Sequence, residues 1–313
     1  MSTKRLISSL IALSVILAAP PEAKADDEAV ERHWQEPKVK WNDEWARFRT
    51  VEVLAVVGLT VGSIVLSNVD APSEANWKGP ILFDNAARKF FRGTTPKAEQ
   101  TAADVSDYLY KGAVLFPYVV DNYIMALGVH QSADVALEMT LIDMQSLGFA
   151  GVLSLGMERS VGRQRPYAQD CDPSRPPGQQ FVGANACFPK VDNQSFYSGH
   201  AAATFTIAGL TCVHHQHFPL YGGGTPDALV CVGMLGLATT TGLLRLVADR
   251  HYASDVLTGT AVGLFSGYVL PSLLHYGFGK TRSKPLLKTT YGNIAPMPLV
   301  YQGGGGIGLT GIF

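Results

Sequence analysis

Apolar residues fall in long blocks along this chain instead of alternating with polar ones. The blocks run from Val53 to Ser67, Gly112 to Val129, Met139 to Met157, Ala201 to Val213, Ala228 to Leu244 and Val256 to Leu274. Each is longer than an ordinary strand and rich in Gly, Ala, Leu and Met, which predicts helices. Small residues of this kind let helices pack closely, in lipid or in a protein core. Asp121, Asp143 and Gln145 interrupt two blocks and are expected to face the bundle interior, because such groups are costly against lipid. The predicted fold is all-α: a bundle of about six core helices over residues 51–276. Residues 26–50 read as a polar, Trp-containing segment. Residues 277–313 read as a Gly/Pro-rich tail, with a turn or linker at Gly303–Gly306.

The first residues have the character of an export signal. Lys4 and Arg5 precede the apolar run Leu6–Ala19, and Ala23-Lys24-Ala25 offers a small-x-small cleavage pattern, so residues 1–25 are expected to be removed. The alternative, an uncleaved anchor, has a run that is short for a span. Cysteine usage agrees with export. Cys171 and Cys187 share a polar, Pro-rich stretch and are expected to form a disulfide, whereas Cys212 and Cys231 lie in apolar runs and are expected to be free, buried thiols.

Composition narrows the function. Hydrophobic residues make up 47% and charged residues 16%, against about 25% charge in an average soluble protein. With 25 basic and 26 acidic residues, there is no global positive field to hold nucleic acid. Membrane association is expected. No C-x-x-C is present, so a thiolate zinc site has no support.

Helix order has a geometric consequence. The block ending at Met157 delivers residues 158–166 to one end of the bundle, and a long loop stays there until Ser198-Gly199-His200 opens the next helix. That helix runs away, turns near Gly222–Pro226, and returns to deliver Arg245 and His251 to the starting end, where Asp255 opens the last helix. One end therefore collects Arg159, Arg163, Arg165, Ser198, Gly199, His200, Arg245, His251 and Asp255. Arginine forks match phosphate oxygens, and the Ser198 and Gly199 amides at a helix N-terminus favour an anion. Two histidines can divide the labour of nucleophile and proton donor. The group suits phosphoryl transfer through a histidine, without a metal.

These residues resemble the type 2 phosphatidic acid phosphatase and vanadium haloperoxidase superfamily, whose motifs are K-x6-R-P, P-S-G-H and S-R-x5-H-x3-D. Here they read Glu158 through Arg165-Pro166, Tyr197-Ser198-Gly199-His200, and Leu244-Arg245 with His251 and Asp255 at the family spacing. The resemblance covers roughly residues 104–274. It implies His251 as nucleophile, Asp255 orienting it, and His200 as proton donor to the leaving group. Arg165, Arg245, Ser198, Gly199 and Arg163 would hold the phosphoryl oxygens. Tyr197 and Leu244 replace residues with no catalytic role. Glu158 replaces the motif Lys, a reversal of charge beside the expected phosphate; on a continuous helix it could pair with Arg165 or with Arg163.

The remaining histidines and aromatics have structural readings. His130 and His275 read as satisfied core residues, and His214, His215 and His217 as a surface turn at the opposite end. Tyr108, Tyr110, Phe116 and Tyr118 read as a core stripe. Lys280, Arg282, Lys284 and Lys288 after the last helix suggest a cytoplasmic tail and an active face outside. A cleaved signal followed by three spans would place the motifs inside instead. One early segment is therefore expected not to span, most simply that from Gly112, which Pro117 and Asp121 interrupt; otherwise the bundle is soluble or peripheral.

The sequence thus predicts an exported enzyme of the periplasm or cell-envelope membrane. It would hydrolyse phosphomonoesters or diphosphates, small or lipid-linked, with no cofactor and with vanadate as an inhibitor. A vanadium-dependent haloperoxidase, with vanadate as cofactor, is the alternative within the same pocket. A degenerate, anion-binding member is the reading that Glu158 favours.

Overall fold

The computed structural model describes residues 38–172, 174–277, 293–301 and 304–312; the expected leader, residues 1–25, lies outside the described residues. Seven helices are numbered here in chain order: α1 Thr50–Ser67, α2 Asp84–Phe91, α3 Pro96–Phe116, α4 Ala133–Val161, α5 Gly199–His217, α6 Thr225–Val247 and α7 Ala253–Leu264. All but α2 run along the bundle in alternating directions. α3 continues past Pro117 as a wider π-helix, Pro117–Val129. There the missing Pro N–H removes one ladder bond and the turn widens to accommodate it. α7 continues in the same way to Tyr276.

The buried α5 is the central post, with Ala201, Ala202, Ile207, Ala208, Leu210 and Val213 all at 1% exposure or less. α7 packs directly on its backbone. Side chains at Gly259, Gly263 and Gly267 would run into the carbonyls of Ser198, Ala202 and Thr206, so small residues at four-residue spacing set this contact.

Five helices are long and apolar enough to cross a membrane: Thr50–Ser67, Pro96–Val129, Ala133–Val161, Thr225–Val247 and Ala253–Tyr276. Their outer faces carry exposed apolar side chains such as Leu54, Val61, Ile64, Val119, Leu229 and Leu257, the pattern expected where lipid is the solvent. The segment from Gly112, expected not to span, is part of one of these five. Pro117 does not end the helix, and Asp121, fully buried, faces protein.

Other expectations change with the fold. Val39, Trp41 and Phe48 of the N-terminal segment are buried and join the core at the end opposite the motifs; Trp41 and Trp45 pack against Phe218 and Tyr276. His214 and His215 are buried, not on a surface turn, because their helix face meets carboxylates. His214 Nε2 lies 2.9 Å from Asp143 Oδ1, and His215 Nδ1 lies 2.5 Å from Asp227 Oδ1. Asp143 and Gln145 face inward. His130 and His275 are core residues bonded to Leu220 O and to Ala46 O with Gln145. Tyr118 is buried, but Tyr108 is 72% exposed and leaves the expected core stripe.

Cys212 and Cys231 are not free thiols but are disulfide-bonded, with Cα atoms 4.5 Å apart. They stand at nearly equal distances on either side of the 218–224 turn, so the antiparallel α5–α6 hairpin places them at one height. Two short strands, Phe181–Val182 (β1) and Asn185–Ala186 (β2), pair in the loop before α5. In the tail Asn293–Tyr301 (β3) pairs antiparallel with Gly304–Ile312 (β4), so Gly304–Gly306 are strand residues and not a linker.

Candidate active site

Helix ends bring the motif residues together. α4 stops at Gly162, which takes the left-handed conformation (φ 56°, ψ 44°) that favours glycine at this position. A Cβ there would also come within 3.0 Å of Pro72. The chain then turns across the bundle end. The Arg165 amide donates to Asp192 O (2.6 Å), while its guanidinium donates to Val191 O (3.0 Å) and Arg250 O (2.9 Å). Arg165 forms no ion pair with a carboxylate among the described residues, although Glu158 and Asp192 act on it through space.

His251 is 4% exposed and lies beside that guanidinium, with Nε2 3.4 Å from Arg165 Nη1. Its Nδ1 is 2.8 Å from Ser195 O. A carbonyl can only accept, which assigns the proton to Nδ1 and leaves a lone pair on Nε2. Burial, then Arg165 and Arg245, hold the ring well below its ordinary pKa, so it is neutral at pH 7.

Asp255 does not touch His251, contrary to expectation. Its oxygens take Arg163 Nη1 (2.5 Å), Ser195 Oγ (2.6 Å) and the Tyr252 amide (2.9 Å). Asp255 sits in the first turn of α7 and caps its own helix, which points the carboxylate away from the ring. Ser195 links the two, with its hydroxyl on Asp255 and its carbonyl on His251.

Arg163 is likewise not placed to hold a phosphate. It is fully buried between the Trp77 and Tyr252 rings, 4.1 and 4.2 Å from their centroids. It also pairs with Asp84 (2.7 Å) and Asp255. A buried cation with two carboxylates has no charge left for a ligand. Ser198 is partly committed: its fully buried hydroxyl caps α5 by accepting from Ala201 N, which leaves its O–H as a donor, and its amide donates to Asp255 O. Gly199 is the first residue of α5 and is half-buried.

His200 follows it. Its Nε2 lies 2.8 Å from Asp107 Oδ1, and the Tyr110 ring packs against it at 4.7 Å. Burial, and then the Arg245 charge, lower its pKa to about 3, so the resting ring is neutral and its Nε2–H points at Asp107. Asp107 also accepts from Arg245 Nη1 (3.1 Å), which Ser106 shares. Arg245 is 3% exposed, and its Nε has no hydrogen-bond partner. An unpartnered donor on a buried cation is costly, and an anion at the site would satisfy it.

Glu158 pairs with neither Arg163 nor Arg165 but with its neighbour, Arg159, at 2.8 Å. Its other oxygen would lie 3.5 Å from a Cβ at Gly199. The carboxylate therefore stands at the N-terminus of α5, where a phosphoryl oxygen is expected. Cys171 and Cys187 are joined across the loop next to this end. Asp107 and Ser195 are partners that the motif reading missed. Asp107 lies on a helix outside the motifs, and Ser195 acts through its carbonyl, which no side-chain pattern encodes.

Residues 142–278 match the family model described as the PAP2 superfamily. The chain is similar to a lipid A 1-phosphatase of Porphyromonas gingivalis, 41% identical over 73 residues, covering 23% of this chain and 15% of the relative. It is also similar to a protein of Drosophila melanogaster named "Putative phosphatidate phosphatase", 28% identical over 158 residues, covering 44% of this chain and 42% of that one. The match thus spans less than half the length of either relative. Among solved structures, LpxE of Aquifex aeolicus is 19% identical, with a TM-score of 0.38 over 60% of this chain and 93% of its own. The transmembrane PAP2 type phosphatidylglycerolphosphate phosphatase of Bacillus subtilis is 16% identical, with a TM-score of 0.43 over 71% of this chain and 94% of its own.

Proposed function

We propose, from the match of residues 142–278 to the PAP2 superfamily model and from the site geometry, that this chain is a metal-independent phosphatase acting on a lipid-linked phosphomonoester or diphosphate. The observation that carries the reading is His251 Nε2, a lone-pair nitrogen that accepts from Arg165 Nη1 at 3.4 Å, at the same end of the bundle as the unpartnered Nε of Arg245. That is a nucleophile beside two cationic forks, the arrangement phosphoryl transfer requires.

In the proposed reaction the two arginines and the Gly199 amide hold the phosphoryl oxygens. The Nε2 lone pair of His251 attacks phosphorus, and the bond to the leaving alkoxide breaks as His200 supplies its proton. Water then attacks the phosphohistidine, giving its proton to His200 and releasing His251 and phosphate. The resting His200 is neutral because it is buried and, beyond that, because Arg245 and Arg165 face it. A bound phosphate dianion offsets both charges and raises its pKa toward the range a proton donor needs. The exposed apolar belt favours a substrate that arrives through the membrane.

Phosphate release by the purified protein, from a lipid phosphomonoester and a lipid diphosphate, with and without chelator, tests this. His251→Ala should abolish release and any acid-labile phosphoprotein while leaving the fold intact. Turnover near that of the natural protein in this variant would overturn the mechanism. The second reading, a non-catalytic anion binder, rests on the Glu158 carboxylate at the α5 N-terminus. An inert protein that still binds inorganic phosphate would support it.

The active face is proposed to lie outside the cytoplasm, since Cys171–Cys187 crosses the loop beside it and such bonds form in oxidising compartments. Thr50 starts at the far end of the bundle, so this orientation puts residues 38–49 on the cytoplasmic side and is incompatible with export of the N-terminus after removal of residues 1–25. Reporter fusions at Asp43 and Gly178 decide it; an outside signal at Asp43 with none at Gly178 reverses the assignment.

A further inference from the structure

The segment between α1 and α3 lies outside the group of residues proposed to touch substrate, yet it is the most amphipathic part of the chain. The spacing of α2 gives it three faces. Ala87 and Phe91 turn inward and pack on Ala201, Leu246, Ala253 and Val256, where α5, α6 and α7 meet. Phe83 and Phe90 turn outward, 48% and 81% exposed, and Leu82 just before the helix is 87% exposed. The third face carries cations: Asn85, Arg88, Lys89, Arg92 and Gly93 line an open cavity of about 340 Å³. Arg88 and Arg92 are balanced by Asp249, Asp170 and Glu99, whereas no described carboxylate pairs with Lys89. Residues 78–97 hold five cations, Lys78, Arg88, Lys89, Arg92 and Lys97, against one acid, Asp84, and Asp84 is consumed internally by Arg163 and Ser254.

Position identifies what meets these faces. Leu243 and Leu257, exposed on α6 and α7, lie within a turn of Leu246 and Val256, on which α2 rests. They stand near the end of α6 and in the second turn of α7, on the site side of the lipid-facing belt. α2 also hangs between two helices able to cross a membrane, joined to α3 by only the four residues from Arg92 to Thr95. Four residues reach at most about 14 Å, so the helix stays near the bilayer surface. Exposed aromatics on the site side of this belt, beside an unpaired lysine, match the layered chemistry of acyl chain and anionic headgroup.

We propose that residues 78–92 form an interfacial element. Phe83, Phe90 and Leu82 enter the leaflet on the site side, and the Lys89 cavity takes the headgroup of an anionic phospholipid. The element is tied to the catalytic loop, because Asp249, two residues before His251, is held by Arg88 at 2.8 and 2.7 Å. A seated headgroup layer therefore steadies the strand of chain that carries His251.

The test uses the full chain in vesicles with both native disulfides formed, so that Phe90→Cys or Asn85→Cys supplies a single thiol for a nitroxide label. Each label's collisions with dissolved oxygen and with a water-soluble nickel chelate report its depth. At position 90 oxygen should dominate, and at position 85 the chelate. Adding phosphatidylglycerol to phosphatidylcholine vesicles should draw the position 90 label deeper. Lys89→Glu should cut that response at least about fivefold, the weight of one cation at an anionic surface. The proposal is overturned if position 90 is as open to the chelate as position 85, or if phosphatidylglycerol leaves its depth unchanged. It is also overturned if soluble glycerol phosphate in phosphatidylcholine vesicles reproduces the response, which would make the cavity a phosphate site and not a lipid one. None of these readings depends on phosphatase activity.

Discussion

Replacing Glu158 by Gln removes a negative charge at the α5 N-terminus and keeps the side chain's size. A phosphoryl oxygen held by the Gly199 amide would lie about 5 Å from that carboxylate, which is itself 3.5 Å from a Cβ at Gly199. Two unit charges at that separation repel by about 3 kcal/mol at the effective dielectric of partly buried sites. Arg159, 2.8 Å from the carboxylate, already cancels part of this, which leaves about 1–2 kcal/mol. Glu158→Gln should therefore tighten orthovanadate inhibition, and raise kcat/KM, by about five- to thirtyfold. Glu158→Lys should go further in the same direction. The assay is a vanadate titration of phosphate release, or of intrinsic fluorescence if the natural protein is inert. An unchanged vanadate affinity in a folded variant would show that Arg159 neutralises Glu158 fully and that no repulsion shapes this site.

Asp255→Asn leaves Arg163, which is fully buried, with Asp84 alone. Breaking a buried pair costs about 3–5 kcal/mol, so the variant should unfold at lower temperature than its parent, and an unchanged unfolding temperature refutes the pairing. His251 and His200 both have depressed pKa values. Below about pH 6.5 the unfolded chain takes up protons that the folded one refuses, so stability should fall from pH 6.5 toward about pH 3. His200→Gln should flatten that slope relative to the natural protein; an identical slope would refute the assignment. Mass mapping without reduction should find Cys171 joined to Cys187 and Cys212 to Cys231, with no free thiol among them.

The helical blocks and the end of the bundle that collects Arg165, His200, Arg245 and His251 were legible in the sequence, because apolar periodicity and motif spacing are local properties. What was not legible depends on contacts between distant segments. Arg163 lies inside the first motif stretch, and only the fold shows Trp77, Asp84 and Tyr252 closing around it. Asp255 lies four residues from His251, yet the first turn of its own helix claims the carboxylate. Asp107 sits on a helix with no motif. The hairpin symmetry of Cys212 and Cys231 could have been counted from the turn, but apolar surroundings outweighed it in the sequence reading.

The cross-link between α5 and α6 has a mechanical meaning. His200 stands at the start of α5 and Arg245 near the end of α6, and Asp107 bridges them. Their relative height depends on how the two rods are registered, and helices with small apolar side chains can slip past one another by a turn of about 5.4 Å. The Cys212–Cys231 bond forbids that slip, acting as a dowel between two shafts. It lies 12 residues along α5 from His200 and 14 along α6 from Arg245, so both shafts project similar lengths beyond the dowel and keep the proton donor and the anion clamp level. Reduction would free the shafts to ratchet while leaving every residue at the bundle end in place along its own helix.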